Sequence, residues 1–499
     1  MLARMIESGI IKLLEKLIGA VHGRKPIQPD LSSQVVLGTV SHPYYPERSE
    51  RAFLDEVSRL KHVYILGSTG SGKTKVIESL VRQDILSNRG VLVADPHGDL
   101  MTNILSFLAQ NFSRQETDDL GGRLILIEPF NQEYAIGFNP LEANQPFSAM
   151  LELFEIFQRF WGNGVWGPRM SELLRNMILT LSQNHLTLLE ARPLLSQEGF
   201  RQRMIENISF GEVRDYWSYR YNPLSEKMQA LYREPVLNKI SAFVTDPSIF
   251  RILGQRESTV NFREAMDQGK WILLNLSKGQ LKENIRLLGT LFLAKMKQAA
   301  LSRIDTPEDR RRPFFIYIDE FQNFIGEDLE SMLSEARKFH LGLTMANQNL
   351  DQLPRELRSA ILGNVSTEIF FRLSHHDASQ ISSEMDQKEK SLIEKKIIDL
   401  KTGQAYLKIK GQKPRLLKAL YVPAIQVSDE ALDEVKRASF HHWARPVAEV
   451  EREIEARRGL WQSREAGERL TPTVPEARAL GDQEPLTPGG SFEEGQNEW

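Results

Sequence analysis

The chain contains no cysteine, which excludes disulfides and thiolate-held metals and removes any support for secretion. It also lacks an uninterrupted apolar run of the ~20 residues that a membrane-spanning helix needs. The best candidate, ARMIESGIIKLLEKLIGAV near the N-terminus, is broken by Arg4, Glu7, Lys12, Glu15 and Lys16, and no small-residue cleavage site marks it as a signal peptide. An excess of one charge is missing too. The 63 Lys and Arg nearly balance 66 Asp and Glu, for a net charge of −3, so only local clustering of basic residues can speak for a nucleic-acid partner. Internal repeats are not evident.

What is present is organised. Residues 1–23 are expected to form an amphipathic helix, with Ile6, Ile10, Leu13, Leu14, Leu17, Ile18 and Val21 at three- and four-residue spacing. Two readings of it stand: packing on protein, or lying on a membrane surface. Residues 24–60 read as a connector with a single strand, VVLGTV. From 61 to 138 the pattern is β–loop–α, through HVYILG, VLVADP and LILIEPF. Between 139 and 262 strand-like alternation disappears, which predicts an all-helical domain. Over 263–440 strands return in WILLNLS, FFIYIDE, LGLTMANQ and TEIFFRLS, and a basic hairpin occupies 403–422. Strands alternating with helices imply an α/β fold with a mostly parallel sheet, so the helical block is an insertion into one domain. A charged helical segment follows over 441–470. The tail, 471–499, is rich in Pro, Gly and Glu, holds six acidic residues and one basic, and is expected to be disordered.

GSTGSGKT at 67–74 fits G-x-x-x-x-G-K-[ST] between an apolar strand and a helix, the context a phosphate loop requires. Gly67, Gly70 and Gly72 let successive backbone N–H groups, with those of Ser68, Thr69 and Ser71, turn toward a phosphate. Lys73 is expected to reach the β- and γ-phosphates and the Thr74 hydroxyl to bind Mg²⁺. FFIYIDE supplies the complement: five apolar or aromatic residues, then Asp319 for Mg²⁺ and Glu320 for the attacking water, at the ligand-binding edge of a parallel sheet. Together these predict an NTPase. LGLTMANQ brings Gln348 to its tip, suited to sensing phosphate or orienting water, with a plain turn residue as the alternative. Arg372 on TEIFFRLS is either an arginine finger for an adjacent subunit or an ordinary ion-pair partner.

The stretch DPHGD, 95–99, clusters Asp95, His97 and Asp99 at a strand end near the expected phosphates. One histidine and two aspartates in five residues do not converge easily on one ion, so a turn bonding the phosphate loop and its water is the reading. From Lys388 to Lys418 there are ten basic and three acidic residues. Lys408, Lys410, Lys413 and Arg415 at the hairpin are either a loop contacting DNA phosphates or an exposed basic hairpin without a partner.

GSTGSGKT, VLVADPHGDL, GFNPLE, the helical insert, WILLNLSKG, FFIYIDEFQNF, LSEARKFHLGLTMANQ and GNVSTEIFFR occur in one order over about residues 60–425. Together they resemble the HerA/FtsK-type DNA-pumping ATPases, and within these the TraG/TraD-like coupling ATPases of conjugation and type IV secretion. The resemblance implies a RecA-like P-loop nucleotide domain with an inserted all-α domain, a homohexameric ring, ATP and Mg²⁺ bound between subunits, and DNA in the pore. It places Asp95 and Asp99 in the second-strand motif, Lys73 and Thr74 in Walker A, Asp319 and Glu320 in Walker B, and Gln348 in a third motif. The first 60 residues show neither the transmembrane helices of membrane-bound coupling proteins nor the small β-barrel that opens HerA. The expected setting is cytoplasmic, with any membrane contact peripheral. A HerA-like translocase paired with a nuclease in repair or phage defence, and a regulatory ATPase that moves no polymer, are the alternatives. A protein partner docking the acidic tail is compatible with each.

Overall fold

The computed structural model describes residues 34–41, 49–112, 117–142, 146–162, 166–277, 284–324, 332–385 and 389–463. The helix expected over 1–23 and the tail 471–499 lie outside them. In chain order the strands are β1 (Gln34–Ser41), β2 (Ser49–Asp55), β3 (Val63–Leu66), β4 (Gly90–Asp95), β5 (Leu124–Ile127), β6 (Tyr134–Ala135), β7 (Trp271–Asn275), β8 (Phe314–Ile318), β9 (Leu341–Asn347), β10 (Thr367–Phe370), β11 (Gln404–Ile409), β12 (Arg415–Ala419) and β13 (Arg445–Pro446). All but β6 and β13 join one sheet, ordered β2-β1-β12-β11-β10-β3-β9-β8-β4-β7-β5.

From β10 to β5 every pairing is parallel. These strands are apolar almost throughout because both faces are covered. β3, β4, β5, β7, β8, β9 and β10 are buried at every position. The other side is extended by antiparallel β11, β12, β1 and β2. Here the expectation of one strand in 24–60 differs from the structure: Gln34–Ser41 and Ser49–Asp55 are two paired strands of the sheet. β2 (SERAFLD) is an edge strand exposed over its first three residues, so its apolar content is too sparse to announce a strand. Gly38 permits the pairing of β1 with β12, since a Cβ there would meet the Lys418 carbonyl.

The opposite edge is closed by helix Asp429–Trp443. Ser439 donates its hydroxyl to the Leu124 carbonyl (2.7 Å) and accepts the Leu126 N–H (2.8 Å), occupying backbone groups that edge strand β5 would leave open.

Between Ala135 and Trp271 the described residues form helices and connections without a strand. GFNPLE ties the two ends of this block together. Asn139 donates to the carbonyls of Leu186 (3.1 Å) and Arg256 (2.8 Å), while Phe138 N–H reaches the Ile252 carbonyl at 3.0 Å. The insert shares one continuous core with a sheet face, running from Trp217 and Leu174 to Ile272 and Ile316. Helix Val447–Ser463, within the charged segment expected over 441–470, packs Val450 and Ile454 on Leu189 of the insert and pairs Glu451 with Arg251 at 2.8 Å.

Candidate active site

The phosphate loop leaves β3 and enters helix Lys73–Leu86. Its backbone turns at Gly70 and Gly72, with φ of +72° and +120°. Gly67 serves close approach instead, for a Cβ there would lie 2.5 Å from the Phe371 Cβ. Lys73 is buried and donates to the Gly67 and Ser68 carbonyls at 2.6 and 3.3 Å. Burial lowers its pKa, and the nearby Glu320 and Asp319 carboxylates oppose that shift. The buried hydroxyl oxygens of Ser68 and Ser71 have no partner among the described residues. A lysine satisfied only by its own loop's carbonyls, beside two open hydroxyls at a helix N-terminus, is a donor set that fits a polyphosphate.

Strand order decides the rest. β9 lies between β3 and β8, with Leu66 opposite Asn347 and Ile318 opposite Met345. The residue after β9 therefore emerges between the phosphate loop and the carboxylate pair after β8. That residue is Gln348. Its Nε2 donates to Glu320 Oε1 at 2.8 Å and its Oε1 accepts from the Thr69 hydroxyl at 3.1 Å, bridging loop and carboxylate. The Thr74 hydroxyl donates to Asp319 Oδ2 at 2.8 Å. Hard oxygen donors so placed, hydroxyl and carboxylate, suit Mg²⁺. Burial raises the Asp319 pKa, Glu320 and Asp95 add to the rise, and Thr74 and Lys73 oppose it. Such a buried, mutually repelling acidic set is relieved when a cation arrives.

Glu320 takes a left-handed backbone, φ +51°, unusual outside glycine and asparagine. The turn is held locally: Asp319 Oδ1 accepts the Glu320 N–H (3.1 Å), and the Glu320 carbonyl accepts both the N–H (3.0 Å) and the side-chain amide (2.8 Å) of Asn323. This turn folds the buried carboxylate back to Gln348 and to Gln322, whose Nε2 donates to Oε2 at 2.5 Å. Sequence reasoning passed over Gln322; its position two residues after Glu320 was the available signal. Loop 401–403 was missed as well. There the Gly403 N–H donates to the Ser71 carbonyl at 2.9 Å, and the Thr402 hydroxyl to that of Gly70 at 3.4 Å.

DPHGD is chiefly a turn. Asp95 is buried beside Asp319, and its carboxylate accepts the N–H groups of His97 (2.8 Å) and Met101 (3.1 Å). His97 and Asp99 are exposed, Asp99 at the start of helix Asp99–Asn111. Among the described residues no group of three or more His, Asp and Glu side chains converges on one point, so the Mg²⁺ donors are Thr74 and Asp319 alone.

Arg372 lies past the end of β10, so strand alternation does not set its direction. Its carbonyl accepts the Ser68 N–H at 2.9 Å and its side chain is exposed. The hairpin divides its four basic residues. Lys408 pairs at 2.9 Å with Glu368, whose pKa burial raises and Lys408 pulls back. Arg415 pairs with Glu50 at 3.3 Å. That ion pair engages Lys408, and the buried carboxylate makes it costly to give up. Lys410 and Lys413 are exposed. Because β11 runs antiparallel to β10, the hairpin tip sits at the sheet edge opposite the phosphate loop.

Two family models match the chain: "Helicase HerA, central domain" over residues 47–294, and "TraM recognition site of TraD and TraG" over 313–394. The chain belongs to the HerA/TraG-like P-loop ATPases. This HerA/TraG-like ATPase is similar in fold to the bacterial conjugative coupling protein TrwBdeltaN70, with TM-score 0.55 at 14% identity over 75% of this chain and 89% of that one. It is also similar to TrwB in complex with ADP and Mg²⁺, with TM-score 0.53 at 14% identity over 80% and 92%. At that identity the likeness is one of RecA-like fold. No curated protein matches the chain in sequence.

Proposed function

We propose that this HerA/TraG-like ATPase hydrolyses ATP with Mg²⁺ at the site above and uses the cycle to move DNA, as a homohexameric coupling motor of the conjugative type. One observation carries the reading: Lys73, Thr74, Asp319, Glu320 and Gln348 meet in a single cleft because β9 separates β3 from β8. In this reading the loop amides and Lys73 bind the phosphates. Thr74 and Asp319 would hold Mg²⁺, which would supply charge neutralisation to the bound phosphates. Glu320 accepts a proton from the attacking water. Gln348 touches both the loop and Glu320, so it can report whether a γ-phosphate is present. The exposed side chain of Arg372 is proposed as an arginine finger for an adjacent subunit.

DNA would meet the exposed tip residues Lys410 and Lys413. The acidic tail, 471–499, is a docking segment for a protein partner. The proposed setting is the cytoplasm, with at most peripheral membrane contact; among the described residues no helix is long and apolar enough to cross a membrane.

Lys73→Ala is expected to abolish ATP turnover in a folded protein, and undiminished hydrolysis would remove the site. Replacing Lys410 and Lys413 by Ala is expected to flatten the dependence of log affinity for DNA on log salt by about one per lost phosphate contact. An unchanged slope would clear the hairpin. DNA-stimulated turnover by a particle of six-chain mass supports a motor; turnover indifferent to DNA favours a regulatory ATPase.

A further inference from the structure

We propose that Gln322 is a positioning residue for hydrolysis, holding Glu320 with one end of its amide and the attacking water with the other. This rests on reading the site as an ATPase. The Glu320 carboxylate receives two amide donors, Gln348 Nε2 on Oε1 at 2.8 Å and Gln322 Nε2 on Oε2 at 2.5 Å. An ionised carboxylate only accepts, so the Gln322 amide must present its nitrogen to Glu320 and turn its oxygen elsewhere. That oxygen is buried and has no partner among the described residues. An unsatisfied buried acceptor is costly and is retained where a donor arrives during function.

The missing donor is water. A water donating one hydrogen to Glu320 and the other to Gln322 Oε1 has a lone pair free to face phosphorus. In the step, the water oxygen bonds the γ-phosphorus and the bond to the bridging oxygen breaks, its electron pair leaving on ADP. One water proton passes to Glu320 and on to phosphate. Fixing both hydrogens restricts the water to the attacking orientation. Gln322 sits on the short 3₁₀ turn Phe321–Phe324, which Asn323 locks to the Glu320 carbonyl, so the backbone dictates its aim. Gln348 is tied to Thr69 of the phosphate loop and serves the nucleotide side, which leaves the water side to Gln322.

The test uses the full chain with Mg²⁺ and ATP in single-turnover and steady-state assays. Gln322→Ala should lower kcat about ten- to a hundredfold, the worth of a hydrogen bond to a charged group, with KM and ADP affinity within about twofold. Gln322→Met, which keeps the stem volume, should behave alike and guards against a folding defect. In a Glu320→Gln background the same change should cost much less than in the wild type, because the two side chains hold one and the same water. A wild-type kcat in both Gln322 variants, an equal loss in the Glu320→Gln background, or a loss confined to KM would overturn the proposal. Wild-type turnover by Lys73→Ala and Glu320→Gln would instead sink the ATPase reading beneath it.

Discussion

Removing the Asp84 carboxylate tests how the phosphate-loop helix is held against the strand that carries Asp319. Asp84 lies toward the end of helix Lys73–Leu86, fully buried. It accepts from Arg59 at 2.8 and 2.5 Å, from Arg89 at 3.1 Å and from the Tyr317 hydroxyl of β8 at 2.5 Å. Burial works to raise its pKa; Arg59 beside it, then Arg89, reverse this and hold it below the ordinary carboxylate range. Asp84→Ala leaves the Arg59 guanidinium buried without its counter-charge, and breaking such a pair from one side costs about 3–5 kcal/mol. At a urea slope of about 3 kcal/mol/M the unfolding midpoint should fall by about 1 M or more, read from tryptophan fluorescence. Removing the innermost three groups, as Arg59→Met, Asp84→Leu and Tyr317→Phe together, should recover most of the loss, because apolar groups of similar volume replace buried charges at little net cost and Arg89 keeps Glu56 at 3.9 Å. A loss below about 1 kcal/mol in Asp84→Ala would mean that water reaches the cluster, and a triple variant no better than the single one would refute the charge argument.

Acid sensitivity should come partly from His62. Burial, with Arg337 adding, pushes its pKa down to about 4 against the opposing Leu333 carbonyl, to which Nε2 donates at 3.2 Å while Nδ1 accepts the Leu343 N–H at 3.1 Å. The unfolded chain then binds the extra proton first, so stability is lost as pH falls from about 6.5 toward 4, by up to ~3 kcal/mol. Denaturation across that window should be flatter for His62→Gln, and an identical slope would contradict a buried neutral imidazole. Gly67→Ala should weaken nucleotide binding at least tenfold, because its Cβ meets the Phe371 Cβ. Gly70→Ala has open space around it and bears only about 1–2 kcal/mol of backbone strain, so it should be milder; the reverse order would refute the close-approach argument.

The parts of the site fixed by local chemistry were legible in the sequence. Glycine spacing in GSTGSGKT and five buried residues ahead of Asp319 each carry their own structural instruction, and loss of alternation after Asn139 marked the insert. The turn of DPHGD was legible, but not its bonds: Asp95 accepts N–H groups two and six residues on, where bonds to the phosphate loop were expected. The illegible parts depend on distant partners. Glu368, forty residues before Lys408, is the ion-pair partner of that lysine. β2 is hidden because its apolar face is short and its partner strand, not its own pattern, makes it a strand. The role drawn for Gln322 depends on the positive φ of Glu320, which no residue-type preference announces.

The most direct test of the account is ATP binding and turnover by Glu320→Gln in the full chain. If loop and carboxylate share one catalytic cleft, nucleotide affinity should stay within about twofold while turnover falls about 10²–10⁴-fold. Turnover near wild type would show that Glu320 does not activate the water and would contradict the account.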